Sequence, residues 1–477
     1  MKKTEDMKNA KKRCAKGTRR NKKTGDCIKT NPKTPSIPST AIPTVIPSTP
    51  LTPMAIQTNR KSPPKPVDVP KHIREYFSDR HEKLAKVLEK TCSTRPDKCV
   101  AVGSYSELIK HYFNGFTDFS LIGEPTTIAS SNNGIILRIP YKKHGYSADC
   151  IMKLPVNQFA DNLYYEYYVG KYFINRLATR FPCFLETYDI YFTTDKPKPS
   201  ANFVRGLNRF RGTWNESCAF PTHLALLIQY FPSNMFMSFM RMYKDHTLLF
   251  MNSLCSYLYQ IYFVLSVLGD TYTHYDLHAE NACLYQPYTD PNCYIEMHYH
   301  LKNDRIISFP TRQIVKIIDY GRNYFNNGGT NSKEILESVC LAKSCKPECG
   351  KYQGYAMIRG TIREKNRPEV YHIHPNMPNT SHDLRLAKTF QPILDKVGFG
   401  VNIVYQTQYG TPEKTCDHGI GHYTKTVHNV MDMRLALERT HPKWKIEYGK
   451  PNVKAAEMHI YEDGRDYQYI VLDPNAK

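Results

Sequence analysis

Apolar positions along this chain change period several times, and the changes mark out its elements. In residues 71–91, Ile73, Phe77, Leu84, Val87 and Leu88 fall on one side of a helix. A second helix is expected near Ser104, which stands in capping-box spacing to Glu107, just ahead of Leu108 and Ile109. From residue 119 the period falls to two. FSLIGEPT, GIILRIPY and YSADCIMKL read as three strands, the last two a hairpin closed by KKHG. The run NQFADNLYYEYYVGKYFINRLA returns to a helical period, with Phe159, Leu163, Tyr167 and Phe173 as its inward stripe. Residues 183–193 and 224–231 read as two more strands.

Residues 248–269 contain no charged residue and are long enough to cross a membrane. Asn252, Ser253, Ser256, Gln260 and several Tyr interrupt the run, so a buried central helix is expected, and no membrane span. Ile314, Val315, Ile317 and Ile318 form an apolar strand leading into Asp319. SHDLRLAKTF and YTKTVHNVMDMRLALER read as further helices, and MHIYEDGRDYQYIVL as a closing hairpin turning at Asp463 and Gly464.

Composition changes the picture mainly at the N-terminus. Residues 1–35 hold 13 Lys and Arg against 3 Asp and Glu, about half of the chain's formal charge of +21. Cys14 and Cys27 bracket the basic run KGTRRNKKTG, and nothing in this tail can build a core. Nucleic-acid contact therefore belongs to the tail, beside the alternative of a solvated segment. Residues 36–70 form a Pro/Thr-rich linker. Residues 71–114 are a helical lead-in, and the apolar content of the remainder suits a folded domain. Residues 1–20 lack an apolar h-region, so an intracellular protein with mostly reduced thiols is expected from its 14 Cys.

Two stretches carry the candidate chemistry. THYDLHAENACL sets His274, Asp276 and Asn281 in the spacing H-x-D-x-x-x-x-N, and VKIIDYGR brings Asp319, Tyr320 and Gly321. Phosphoryl transfer to a hydroxyl needs a carboxylate to orient the acceptor. It also needs an amide oxygen and a second carboxylate to hold magnesium against the nucleotide phosphates. Asp276, Asn281 and Asp319 supply these groups in that order. Three Cys at C-x4-C-x3-C (Cys340, Cys345, Cys349) are too loosely spaced for the usual structural zinc site, and free or buried thiols are expected. DHGIGH, with His418 and His422 among glycines, reads as a loop.

The first stretch resembles the catalytic loop of protein kinases, and the second resembles their metal-binding D-F-G with Tyr for Phe. The resemblance implies an α+β, two-lobed protein-kinase-like fold, with a small β-rich lobe at 115–235 and a larger, mainly helical lobe at 236–477. It implies ATP and Mg2+ as cofactors, with Asn281 and Asp319 as metal ligands and Asp276 as the base. Lys153, on the third strand in CIMK, takes the place of the phosphate-pairing Lys of V-A-I-K. Glu166 is its expected partner, with Asp161 the alternative. Gln229 to Ser233 takes the place of the adenine-binding hinge. Asp383 takes that of the Asp bracing the catalytic loop, and RPEV at 367–370 resembles A-P-E.

Three departures matter. Gly123 and Gly134 flank TTIASSNN where G-x-G-x-x-G is expected to approach the phosphates. Tyr275 replaces the Arg of H-R-D, and His278 stands where Ser/Thr kinases commonly carry Lys. The form H-x-D-L-H-x-x-N is similar to aminoglycoside and choline phosphotransferases, and also to divergent serine/threonine-protein kinases of giant DNA viruses. Basic Cys-bracketed leaders are seen in proteins of those viruses too. A viral origin would put the chain in host cytoplasm or virion. A protein kinase, a small-molecule phosphotransferase and a catalytically weak binding module therefore all stay open.

Overall fold

The computed structural model describes residues 18–20, 27–29, 84, 88, 106–130, 134–155, 163–211, 223–236, 247–332, 334–335, 377–396, 399–405, 425–444 and 453–472. Two compact units emerge, Met1–Asp68 and Val69–Lys477. In the first, β1 (Thr18–Arg20) and β2 (Cys27–Lys29) form an antiparallel hairpin across the basic run. Asp161, Phe159, Ser104, Cys340, Cys345, Cys349, His418, His422 and the RPEV stretch lie outside the described residues.

The second unit is a mixed α+β structure. The first layer is a six-stranded antiparallel sheet in the order β3-β4-β5-β8-β6-β7. Its strands are β3 (Thr126–Ser130), β4 (Gly134–Lys143), β5 (Tyr146–Pro155), β6 (Thr187–Thr193), β7 (Asn208–Arg209) and β8 (His223–Gln229). The expected hairpin is β4 and β5. Its turn residues His144 and Gly145 both have positive φ (48° and 85°), the geometry that matches the twist of the strands it joins. Residues 119–121 are a 3-10 turn rather than the start of a strand, because Asp118 caps that turn through the Ser120 N–H.

Alternation along β5 sorts its side chains. Cys150, Met152 and Leu154 enter a core with Leu137, Ile139 and Tyr141. Ile109 and Phe113, on and just after helix α1 (Ser106–Tyr112), belong to the same core, as does Leu88 of the lead-in. Ile151 and Lys153 therefore point to the opposite face. Helix α2 (Leu163–Val169) packs there and continues through a π-helical turn, Gly170–Ile174.

From Ser253 to Leu268, helix α3 (Thr247–Leu268) is almost wholly buried in the main core. Among the described residues no helix is long and apolar enough to cross a membrane. Its polar residues fasten strands and loops. Gln260 accepts from the Val315 N–H at 2.8 Å and donates to the Gln313 carbonyl at 3.2 Å. Tyr262 donates to the Asp383 carbonyl at 2.9 Å and accepts from the Ala387 N–H at 3.0 Å. Around it lie the short helices α4 (Arg385–Thr389) and α5 (Gln391–Lys396), and α6 (Val430–Trp444).

The region expected to be mainly helical carries a good deal of strand. A small sheet joins β9 (Ser233–Met235), β11 (Ala282–Tyr285) and β14 (Ile314–Ile317), and β10 (Tyr272–Thr273) pairs with β15 (Tyr324–Phe325). A four-stranded sheet runs in the order β13 (Ile306–Thr311), β12 (Cys293–His300), β18 (Val453–Tyr461), β19 (Gln468–Val471). The last two strands are the expected closing hairpin. A short parallel pair, β16 (Val401–Ile403) and β17 (Lys425–Val427), completes the described strands.

Candidate active site

Lys153 sits on β5 between Ile136 of β4 and Leu226 of β8, in the middle of the six-stranded sheet. Glu166 stands in the first turn of α2, where a carboxylate favours the helix dipole. The Lys153 ammonium lies 2.5 Å from Glu166 Oε1 and 3.7 Å from Asp319 Oδ1. Burial pulls the ammonium's pKa down, but Glu166 and Asp319 outweigh it and leave Lys153 above its ordinary value. Partial desolvation by the surrounding protein pushes the Asp319 carboxyl up, yet Lys153, Arg322, His274 and His278 together hold it below the usual carboxylate range.

Asp319 follows β14, which is pinned on both sides. The Ile317 N–H donates to the Cys183 carbonyl at 2.8 Å, and the Ile318 N–H to the Asn281 carbonyl at 3.0 Å. Buried Lys316 donates to the Pro182 carbonyl at 2.6 Å, and burial lowers its pKa to about 8. Tyr320 is buried, and its hydroxyl accepts from the Leu185 N–H and donates to the Ile317 carbonyl, both at 2.9 Å. That pairing accounts for a Tyr where the kinase motif has Phe, because a buried hydroxyl needs partners.

The loop bearing Asp276 is fixed through its backbone. Asp383 accepts the His274 N–H at 2.7 Å and the Tyr275 N–H at 3.0 Å, one on each carboxylate oxygen. Asn323 donates to the His274 carbonyl at 2.7 Å. Tyr165, next to Glu166 on α2, donates to the Asn323 carbonyl at 2.6 Å, so α2 and both loops share one network. The buried His274 ring accepts the Asp276 N–H on Nδ1 (3.3 Å) and lies 3.0 Å from the Ile318 carbonyl through Nε2. Burial holds its pKa down to about 4. Tyr275 has φ 61° and Asp319 φ 70°, left-handed backbone that costs a non-glycine residue of order 1–3 kcal/mol each. Both strained residues flank or carry the candidate chemistry.

Three cationic or ionisable side chains gather on Asp276. Arg322 Nη1 is 3.0 Å from its Oδ2, Arg385 Nη1 is 3.2 Å from its Oδ1, and His278 Nε2 is 3.7 Å from the same oxygen. Sequence reasoning missed both arginines. Arg322 directly follows D-Y-G, and Arg385 stands two residues after Asp383 within a helix read only as a brace. Asn281 Nδ2 donates to the Asp276 carbonyl at 2.9 Å, which commits the amide nitrogen and leaves Oδ1 as the oxygen for a cation.

Lys153, Glu166, Asp276, Asn281 and Asp319 are thus brought into one constellation. The two glycines are not placed alike. A Cβ at Gly134 would come within 2.6 Å of the Leu154 carbonyl oxygen, so glycine serves the close approach of β4 to β5 near Lys153. Gly123 donates its N–H to the Pro140 carbonyl at 2.7 Å. Pro140 pairs with Asp149, four residues along β4 from the partner of Lys153, so Gly123 lies away from the constellation. The segment proposed as a hinge spans the end of β8 and the start of β9.

Hard oxygen donors from an amide and a half-exposed carboxylate (Asp319 side chain 47% exposed), beside a lysine, fit Mg2+ shared with phosphate oxygens. A scan of protein-family models and a search of curated proteins found no match to the chain.

Proposed function

We propose that the chain is an ATP-dependent phosphotransferase with a two-lobed, protein-kinase-like fold, acting on Ser/Thr hydroxyls of proteins. The observation that carries this reading is the Lys153 ammonium, 2.5 Å from Glu166 and 3.7 Å from Asp319. A sheet lysine, a helix carboxylate and a loop carboxylate converge there, while Asp276 and Asn281 are held on an adjoining braced loop. Similarity to the divergent kinases of giant DNA viruses, read from the loop sequences, supports the same assignment.

Bound ATP and Mg2+ supply the phosphoryl group and a cation that draws charge from its oxygens. Lys153, kept charged and aimed by Glu166, offers the phosphate-binding ammonium. Asn281 Oδ1 and the Asp319 carboxylate offer the metal-binding oxygens. Asp276 orients the acceptor hydroxyl and takes its proton, its carboxylate held in place by Arg322 and Arg385. The Asp383 brace and the Asn323 network keep that carboxylate in register with Asp319.

A second reading, transfer to a small hydroxyl compound, is favoured by His278 standing 3.7 Å from Asp276. Paired assays separate the two. Purified protein with ATP and Mg2+ is offered generic protein substrates in one arm and a panel of small alcohols, aminoglycosides and choline in the other. Phosphate on Ser or Thr of the protein substrates supports the main reading. Phosphate only on a small acceptor replaces it with the second.

A further inference from the structure

The four-stranded sheet carries chemistry that phosphoryl transfer does not use. Along β12, Ile295, Met297 and Tyr299 are buried, so Glu296, His298 and His300 turn to the opposite face. Along β18, Ala456, Met458 and Ile460 are buried and Glu457 and His459 turn outward. The parallel register sets His298 beside His459 and Glu296 beside Glu457. One donor atom from each of His298, Glu457 and His459 lies within 4.8 Å of the other two.

Neighbours fix the rings. His298 Nδ1 is 2.8 Å from Ser308 Oγ, and His459 Nδ1 is 2.9 Å from His300 Nε2. With both Nδ1 atoms engaged, each ring keeps Nε2 for a ligand, the outer-shell arrangement that orients metal-bound histidines. His459 Nε2 is 3.7 Å from Glu457 Oε2, while Glu457 Oε1 holds Lys454 at 2.6 Å. Tetrahedral zinc needs donors about 3.3 Å apart. The two imidazoles stack at 4.7 Å, so a modest splay of the rings brings both onto one ion.

We propose that His298, His459 and Glu457 form a binding site for a first-row transition ion, zinc foremost. Two imidazoles and a carboxylate suit zinc, whereas Mg2+ and Ca2+ take oxygen ligands. Three protein ligands leave a fourth position for water. The ion clips β12 to β18, strands from distant parts of the chain, and the assignment is independent of the phosphotransferase reading.

The test titrates chelator-stripped full-length protein with Zn2+ by calorimetry, beside a His298→Ala/His459→Ala double variant and Ser308→Ala. The expected result is one binding equivalent that the double variant lacks, with Ser308→Ala binding roughly 10–100-fold more weakly at that equivalent. Ser308→Ala retains all three ligands, so it decides the matter if the double variant fails to fold. Equal stoichiometry and affinity in wild type and Ser308→Ala would overturn the proposal. So would a thiolate-to-metal absorption band in the affected equivalent when Co2+ replaces Zn2+, which would put the ion on cysteine.

Discussion

Lys153 Nζ lies 2.5 Å from Glu166 Oε1, tying the centre of the six-stranded sheet to the helix laid across it. The two side chains are 16% and 4% exposed, so neither charge has water to fall back on. Glu166→Leu should therefore destabilise the fold by about 3 kcal/mol, because it leaves a buried ammonium with only Asp319 at 3.7 Å. Lys153→Met/Glu166→Leu should recover most of that loss, as an apolar pair replaces an ion pair, yet show no phosphoryl transfer. Urea unfolding of the two single variants and the double variant checks the first part, and turnover checks the second. A double variant no more stable than Glu166→Leu would show that the pair's charge is not what costs stability.

Asp276 is the residue proposed to orient the acceptor hydroxyl. Asp276→Asn should lower kcat by roughly 100- to 10,000-fold while ATP affinity stays within a few-fold. Arg385 lies 3.2 Å from Asp276 Oδ1 and has no place among the proposed nucleotide ligands. Arg385→Ala should lower kcat about 10-fold and leave the KM for ATP unchanged. Steady-state kinetics beside ATP binding by calorimetry separates these effects. A rise in KM for ATP with unchanged kcat in either variant would move that residue to nucleotide binding.

Stability should depend on pH through His274. Burial holds its folded pKa near 4, against about 6.5 unfolded. Between those values the folded state binds fewer protons, so the contribution of His274 is full above pH ~6.5 and lost as pH falls through ~4, roughly 3 kcal/mol in all. Asp383 acts oppositely. Burial raises its carboxyl to about 7 although the His274 and Tyr275 N–H groups pull it down. Its contribution is present below pH ~4 and lost as pH rises through ~7. The two windows overlap, so the wild-type profile should be shallow. His274→Gln should gain stability relative to wild type as pH falls from about 7 to about 4.5. Urea midpoints at both values check this, and parallel profiles would contradict it.

Gly170 sets how closely the π-helical turn approaches β6. A Cβ there would collide with the Thr187 side chain. Asn175 clamps the same contact, donating to the Thr187 carbonyl and accepting its N–H, both at 2.8 Å. Gly170→Ala should cost about 1–3 kcal/mol and displace the helix that carries Glu166. Turnover measured well below the variant's melting temperature should fall at least 10-fold. Full turnover there would mean that the position of α2 is not critical.

Local rules made much of this legible. The β4–β5 hairpin follows from alternation and a turn that tolerates positive φ, and α3 was readable as buried because Gln260 and Tyr262 break its apolar run where strands and loops need partners. The loops of Asp276 and Asp319 stand out in the sequence because each motif is short and contiguous. What sequence did not give depends on distant parts of the chain. Arg322 and Arg385 reach Asp276 only after the loops fold together, and β12 pairs in parallel with β18 across more than 150 residues. The alternating β12 and the six-residue β13 lie between the two stretches that carry the candidate chemistry, and their place in a sheet is set only by the distant β18.

Asp319 and Lys153 are proposed to serve one phosphoryl-transfer site. The most direct measurement is Mg2+-dependent transfer of the ATP γ-phosphate by purified wild-type protein, to itself and to protein acceptors, beside Asp319→Ala and Lys153→Met. Transfer by the wild type and its loss in both variants, each still folded by circular dichroism, are the expected results. Transfer that survives in folded Asp319→Ala, or no transfer by wild type to protein or small-molecule hydroxyls, would contradict the proposal.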